Sequence, residues 1–231
     1  MSESVVEIEN ISKVYKQGSV EVHALRGVSL TIEKGDFAVL AGPSGSGKTT
    51  LLNLIGALDE PSEGRIALDG VDLSHMRSGA LANLRLHRIG FVFQAYNLIP
   101  VLTAYENAEY PLLLQGVPVA RRREAVRRVL DAVGLSGFED RRPSELSGGQ
   151  QQRVAVARAI AAGPALVLAD EPTANLDSKT GTELVELMHG LKEEHEVTFI
   201  FSSHDPKVVD RAERLIRLQD GQLVSDERRS A

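Results

Sequence analysis

The chain contains no cysteine, which excludes disulfides and thiolate metal sites, and with them the small secreted scaffolds that depend on such staples. Long apolar runs are missing as well. The longest extends from Ala159 to Ala169 and is broken by Gly163-Pro164, well short of the ~20 apolar residues that a membrane span needs. Met1-Ser2-Glu3-Ser4 is acidic and has no apolar signal region, so the expected location is the cytosol, with any membrane contact made through a partner. Basic excess is absent too: 26 Lys and Arg against 32 Asp and Glu give a net charge of −6, which argues against a dedicated nucleic-acid binder. No internal repeat, low-complexity segment or long linker interrupts the 231 residues. With 42% hydrophobic and 25% charged residues, the composition is that of a globular protein large enough to bury a substantial core.

Strand patterns dominate the first third. Val5 to Ile8 alternates weakly, and Val28 to Ile32 alternates cleanly. After a turn at Lys34-Gly35-Asp36, Phe37 to Ala41 is a continuous apolar run, as a strand buried on both faces requires. Gly64 to Leu68 followed by Asp69-Gly70 predicts a strand entering a hairpin turn. The middle is helical: Val126, Val129, Leu130 and Val133 fall at i, i+3, i+4, i+7, and Gly134 stops that helix. A further helix is predicted from Gln150 to Ala162. Buried strands follow at Ala165 to Ala169 and Val197 to Phe201. Between them Asp177 caps a helix that carries Leu184, Leu187, Met188 and Leu191 on one face, and Asp205-Pro206 starts another. This alternation predicts an α/β core with a parallel sheet.

Between the strand at 37–41 and a helix-compatible run from Thr50 to Leu58 lies Gly42-Pro43-Ser44-Gly45-Ser46-Gly47-Lys48-Thr49, a match to G-x-x-x-x-G-K-[ST]. Its glycines let backbone N–H groups converge on phosphate oxygens, and the helix N-terminus behind adds a favourable partial charge. Lys48 is placed to reach the β- and γ-phosphates and the Thr49 hydroxyl to ligate Mg²⁺. A second glycine turn, Leu146-Ser147-Gly148-Gly149-Gln150, also opens a helix. Taken alone it reads equally as an anion site or as a loop with a serine cap. Asp170 and Glu171 stand at the carboxyl end of a buried strand, where open α/β sheets bind ligands. Asp170 suits a Mg²⁺ ligand and Glu171 a base that orients the attacking water. His204 follows the last buried strand, where it can face a γ-phosphate.

In this order the motifs resemble the ABC ATPase family over nearly the whole chain. Tyr15 resembles the aromatic that stacks on adenine. Gly42 to Thr49 resembles the Walker A loop, with Thr50 beside it among the nucleotide contacts. Gln94 is similar to the Q-loop glutamine, which also approaches the metal, and Leu146 to Gln150 matches the family signature letter for letter. Leu166 to Glu171 resembles the Walker B strand, Ala174-Asn175-Leu176-Asp177 the D-loop and His204 the switch histidine. The resemblance implies ATP and Mg²⁺ as cofactors, with Glu171, His204 and Lys48 catalytic and Thr49, Gln94 and Asp170 around the metal. It adds Ser147, Gly148, Gly149, Gln150 and Asp177 to the nucleotide contacts. The implied fold is a P-loop NTPase core with a mostly parallel sheet, an N-terminal antiparallel β subdomain and a helical subdomain inserted at roughly 95–160, all within one nucleotide-binding domain over residues 1–231.

The family pairs two cassettes head to tail, each ATP lying between the Walker A loop of one and the signature of the other, so a homodimer is implied. Three stretches, Gly18 to Leu25, Asn53 to Asp59 and Phe91 to Pro100, resemble the lipoprotein-releasing and macrolide-export ATPases. That likeness implies an integral-membrane permease with an extracytoplasmic domain as partner, and a peripheral place on the cytoplasmic face of the membrane. A regulatory ATPase of the cell-division type, acting on a permease-like partner without moving a substrate, is the alternative. The Leu-, Ile- and Val-rich segment Tyr96 to Leu102 reads equally as a permease-facing groove or as internal packing. Arg121, Arg122, Arg123, Arg127 and Arg128 form either a solvated helix face or a contact for anionic lipid.

Overall fold

The computed structural model describes residues 3–18 and 20–229; Met1 and Ser2 of the acidic start, and Ser19 of the loop from Gly18 to Leu25, lie outside the described residues. In chain order the elements are β1 (Ser4–Gln17), β2 (Val20–Glu33), β3 (Phe37–Ala41), α1 (Lys48–Ile55), β4 (Glu63–Leu68), β5 (Val71–Asp72), α2 (Ser78–Arg88), β6 (Ile89–Phe93), α3 (Ala104–Leu114), α4 (Val119–Ala132), α5 (Gly148–Ile160), β7 (Leu166–Asp170), α6 (Ser178–His195), β8 (Thr198–Ser202), α7 (Pro206–Asp210), β9 (Arg214–Gln219) and β10 (Gln222–Arg228). Two compact units result: Leu86–Val197, and the described residues before and after it.

In the first unit, β1 and β2 form a long antiparallel ribbon, continued through β4 to β5. Val6 and Ile8 on β1, and Val28, Leu30 and Ile32 on β2, are buried at period two, and Ile11 and Leu25 join them across register shifts in the ribbon. The runs predicted at Val5 to Ile8 and Val28 to Ile32 are parts of these longer strands. The same unit holds β3 between β8 and β9, parallel to both, with β10 antiparallel on β9. Every residue of β3 and β8 is buried, as the unbroken apolar runs require. Phe37 packs on Phe201 and Phe199 with ring centroids 4.6 and 5.9 Å apart.

A buried ion network closes this unit. Arg214 of β9 donates to Asp36 at 2.7 Å and to both oxygens of Asp226 at 2.6 and 2.8 Å, and Arg228 adds a 3.0 Å bond to Asp36. Bonding to Asp226, and then to Asp36, holds the Arg214 guanidinium above its ordinary range. Removing one partner would leave an uncompensated buried charge, so the C-terminal hairpin is firmly tied to the turn that starts β3.

The second unit contains the parallel pair β6–β7 and helices α3 to α6. α4 buries Val126, Val129 and Leu130 and exposes Arg121, Arg123, Arg127 and Arg128. Arg122 instead bonds Glu109 at 2.8 Å, and Arg128 pairs with Glu124 one turn away, so α4 turns its apolar residues inward and most of its charges outward. Asn107 of α3 is fully buried. Its amide accepts from the Ile99 N–H and donates to the carbonyls of Ile99, Leu102 and Thr103, which gives the loop 99–103 the backbone partners it would otherwise lack. The architecture is α/β, an antiparallel N-terminal sheet beside mostly parallel strands. Two helices start two residues earlier than the pattern suggested, α1 at Lys48 and α5 at Gly148, because Gly47 and Ser147 serve as their N-caps.

Candidate nucleotide site

Residues 42–47 connect β3 to α1, and steric closeness dictates two of their glycines. A Cβ on Gly42 would stand 2.1 Å from the Leu218 carbonyl oxygen, and one on Gly47, where φ is 101°, would stand 2.6 Å from the Ala24 carbonyl oxygen. Gly47 is the N-cap of α1, with no side-chain cap bond and no acidic residue in the first turn. The first-turn N–H groups and the helix dipole are therefore directed at whatever anion lies at the loop. Ser46 donates its N–H to the Pro43 carbonyl at 3.2 Å, and its carbonyl accepts from Gly221 at 3.2 Å. The Ser46 hydroxyl is buried and lacks a protein partner. Lys48 is buried too, and its Nζ donates to the carbonyls of Gly42 at 2.8 Å and Pro43 at 3.1 Å, which holds its charge over the loop. Thr49 is exposed at the first turn.

Tyr15, on β1, donates its hydroxyl to Asp59 at 2.8 Å and is also hydrogen-bonded to the Thr50 side chain. Lys13 donates to the other Asp59 oxygen at 2.6 Å and lies 4.9 Å from the centre of the Tyr15 ring. Burial, then the Asp59 hydrogen bond, pushes the phenol above its ordinary range. The tyrosine is thus an oriented, neutral ring tied to α1. His204 follows β8 and is exposed. Before it, Ser203 is fully buried, donating its N–H to Leu40 at 3.2 Å and accepting the Asp205 N–H at 3.1 Å.

The remaining predicted site residues stand in the second unit. Gln94, just past β6, donates to Asn175 Oδ1 at 3.5 Å, and Asn175 donates to the Gln94 carbonyl at 2.9 Å, so the glutamine and the 174–177 segment are paired. Asp170 ends β7. Glu171 follows with φ 46°, a left-handed conformation that costs a non-glycine residue on the order of 1 kcal/mol. Ser147 caps α5: its hydroxyl accepts the Gln150 N–H at 3.3 Å while Gln150 Oε1 accepts the Ser147 N–H at 2.9 Å, a reciprocal capping box. A Cβ on Gly149 would meet Thr180 at 2.6 Å. Asp177 accepts the N–H groups of Lys179 and Thr180 and the Thr180 hydroxyl at 2.6 Å. These bonds, the Thr180 hydroxyl foremost, hold its carboxyl below the usual range. Its carboxylate is engaged as the cap of α6.

The predicted residues therefore fall into two groups. Residues 42–50 assemble with Tyr15 in one unit, and Gln94, Asn175, Asp177 and the turn 147–150 assemble in the other. Sequence reasoning did not single out Leu218 and Gly221, Asn107, Tyr96 or Arg158. Two of these left a signal, a lone Asn in α3 and a lone Arg in the apolar second half of α5. Leu218 and Gly221 left none, because their role is backbone contact across the chain.

Comparison with known proteins adds a family. The ABC transporter family description matches residues 25–174. The lipoprotein-releasing system ATP-binding protein LolD 1 of Rhodopseudomonas palustris is 46% identical over 95% of this chain and 98% of its own. The macrolide export ATP-binding/permease protein MacB of Brucella melitensis is 46% identical over 96% of this chain, which spans about a third (34%) of that longer protein. Among solved structures, the dimeric post-hydrolysis state of the ATP-binding cassette MJ0796, bound to ADP and Pi, superposes with a TM-score of 0.89 at 43% identity, covering 98% of this chain and 100% of the other; that protein comes from Methanocaldococcus jannaschii.

Proposed function

The chain belongs to the ABC transporter family as an ATP-binding and ATP-hydrolysing cassette, and from this premise we propose that two copies close head to tail around two ATP molecules and drive a membrane permease of the lipoprotein-releasing or macrolide-export kind. The observation that carries this reading is the presence in one chain of two glycine turns, each opening a helix, of different construction. The 42–47 loop leaves the α1 N-terminus uncapped with Lys48 laid over it. The 147–149 turn instead presents a small polar Ser147 and two glycines at the start of α5. One holds phosphates within its own chain, and the other covers the phosphates held by a second copy.

In this reading the N–H groups of 42–50 and the Lys48 ammonium offset the phosphate charge, Tyr15 faces adenine, and Glu171 orients the attacking water with His204 at the γ-phosphate. Ser147, Gly148, Gly149 and Gln150 act on the partner copy's nucleotide, and Asp177 holds the start of α6 beside it. For Mg²⁺ the donor set is a hydroxyl, an amide oxygen and a carboxylate from Thr49, Gln94 and Asp170. These hard oxygen donors suit a cation that keeps several waters and phosphate oxygens, and no cluster of three or more acidic or histidine ligands exists among the described residues. Bound there, Mg²⁺ would neutralise charge on the β- and γ-phosphates.

One nucleotide-binding domain spans residues 1–231, with a helical subdomain inserted at roughly 95–160. No helix among the described residues is long and apolar enough to cross a membrane. We place the protein at the cytoplasmic face, held by a permease with an extracytoplasmic domain; its lipoprotein-releasing and macrolide-export relatives support a membrane permease as the partner. The test is Glu171→Gln. It should bind ATP, lose nearly all turnover and elute in ATP as a dimer; near-normal hydrolysis would overturn the assignment. Lys48→Ala should lose nucleotide binding instead.

A further inference from the structure

α5 is fastened to β6 and to the residues after it at four points. A Cβ on Gly90 would stand 2.3 Å from the Ala159 carbonyl oxygen, so strand and helix approach backbone to backbone. Gln152, fully buried, directs Nε2 at the Phe93 carbonyl, 3.5 Å away. Arg158 donates through Nη1 to the Asn97 carbonyl at 2.6 Å and through Nη2 to the Tyr96 carbonyl at 2.9 Å. At the other end of the helix, the Tyr96 hydroxyl oxygen lies 2.9 Å from where a Cβ on Gly148 would stand.

Two features of this arrangement go beyond packing. Tyr96 and Asn97 are consecutive non-glycine residues with φ of 60° and 50°, a conformation that persists only where the surroundings over-determine it. Arg158 is desolvated, which lowers its affinity for the proton. Among the described residues its hydrogen bonds go to those two carbonyls and to no carboxylate. A charged fork that binds backbone alone, with both donors on adjacent carbonyls, is a device for fixing chain direction.

We propose that Arg158 and Tyr96 are positioning residues for hydrolysis: they lock the segment after Gln94 to α5, so that Ser147 and Gly148 shift with that segment as one body. The inference rests on the proposed function, in which the 147–149 turn must reach the nucleotide of a second copy. In the Tyr96→Phe change only the hydroxyl against Gly148 is lost, and in Arg158→Lys the charge stays but one ammonium replaces the fork.

The experiment compares Arg158→Ala, Arg158→Lys and Tyr96→Phe with the unsubstituted protein in ATPase assays, and repeats Arg158→Ala in the Glu171→Gln background by size exclusion across ATP concentrations. Both Arg158 variants should lower kcat at least about tenfold, as misplacement of a reacting group by a fraction of an ångström does. Nucleotide binding to the monomer and the melting temperature should stay near the unsubstituted values. Tyr96→Phe should lower kcat less, in the same direction, and Arg158→Ala/Glu171→Gln should need correspondingly more ATP to dimerise. A kcat within twofold for Arg158→Ala, full rescue by Arg158→Lys, or a kcat loss accompanied by equal loss of monomer nucleotide binding would overturn the positioning role. Failure of Glu171→Gln alone to dimerise would overturn the two-copy reading and this inference with it.

Discussion

Asp59 accepts the Tyr15 hydroxyl on one carboxylate oxygen at 2.8 Å and the Lys13 ammonium on the other at 2.6 Å. Burial alone would raise this carboxyl, but the bonds from Lys13 and Tyr15 outweigh it and hold Asp59 below its ordinary value of 3.8. A depressed carboxyl contributes stability above its unfolded pKa, and loses that contribution as pH falls through the folded value. Asp59→Asn should therefore be less stable than the unsubstituted protein from about pH 4 upward, by up to about 1 kcal/mol for a partly exposed pair. Urea unfolding between pH 2.5 and 7 should show the gap closing only at the acid end. A gap that widens toward low pH would contradict this.

The same pairing separates two roles of Tyr15. Tyr15→Phe keeps the ring and loses only the hydroxyl bonds to Asp59 and Thr50, so ATP affinity should stay within about twofold of the original. Tyr15→Ala removes a stacking face and should weaken ATP by about 1–3 kcal/mol. Titration with ATP and with a triphosphate lacking the base measures both, and only the ATP arm should respond to the alanine.

Gly42 and Gly45 look alike in sequence but differ in space. A Cβ on Gly42 meets the Leu218 carbonyl at 2.1 Å, whereas one on Gly45 meets nothing within 4 Å and carries only the cost of φ 80°. Gly42→Ala should unfold or displace the loop, with a stability loss above about 3 kcal/mol. Gly45→Ala should cost about 1–2 kcal/mol. Thermal melts of the two variants check the order, and equal effects would show that the Leu218 contact does not govern the loop.

Leu98 and Leu102 are half-buried in a loop whose backbone is held by Asn107. Polar substitution of both should reduce co-purification with the permease while the melting temperature falls by no more than a few degrees, since the Asn107 bonds to backbone survive. Unchanged co-purification with a large drop in melting temperature would assign the pair to internal packing.

Much of the architecture was legible wherever local pattern and long-range packing agree. β3, β7 and β8 read as apolar runs, and Asp177 read as a cap three residues before Thr180, because caps and buried strands are local facts. The loop 42–49 was legible for the same reason. β6 escaped notice, since Gly90 interrupts a short strand for the sake of the Ala159 carbonyl, a partner far away in sequence. α3 was hidden by Pro111 inside it. β9 and β10 were not predicted, because their pairing depends on a turn at Asp220-Gly221 and on β3. The link between Arg158 and residues 96–97 stayed hidden, since a lone Arg in an apolar helix half signals that it needs a partner but not which backbone carbonyls supply it.

The hairpin that ends the described chain backs the loop that begins its chemistry: Leu218 limits Gly42, and Gly221 bonds Ser46. Residues 42–49 leave the ribosome early, yet the surface that shapes them is synthesised some 170 residues later. At roughly 5–20 residues per second, the nascent loop waits many seconds without its support. The phosphate-facing loop therefore gains its backing only after residues 218–221 have been made.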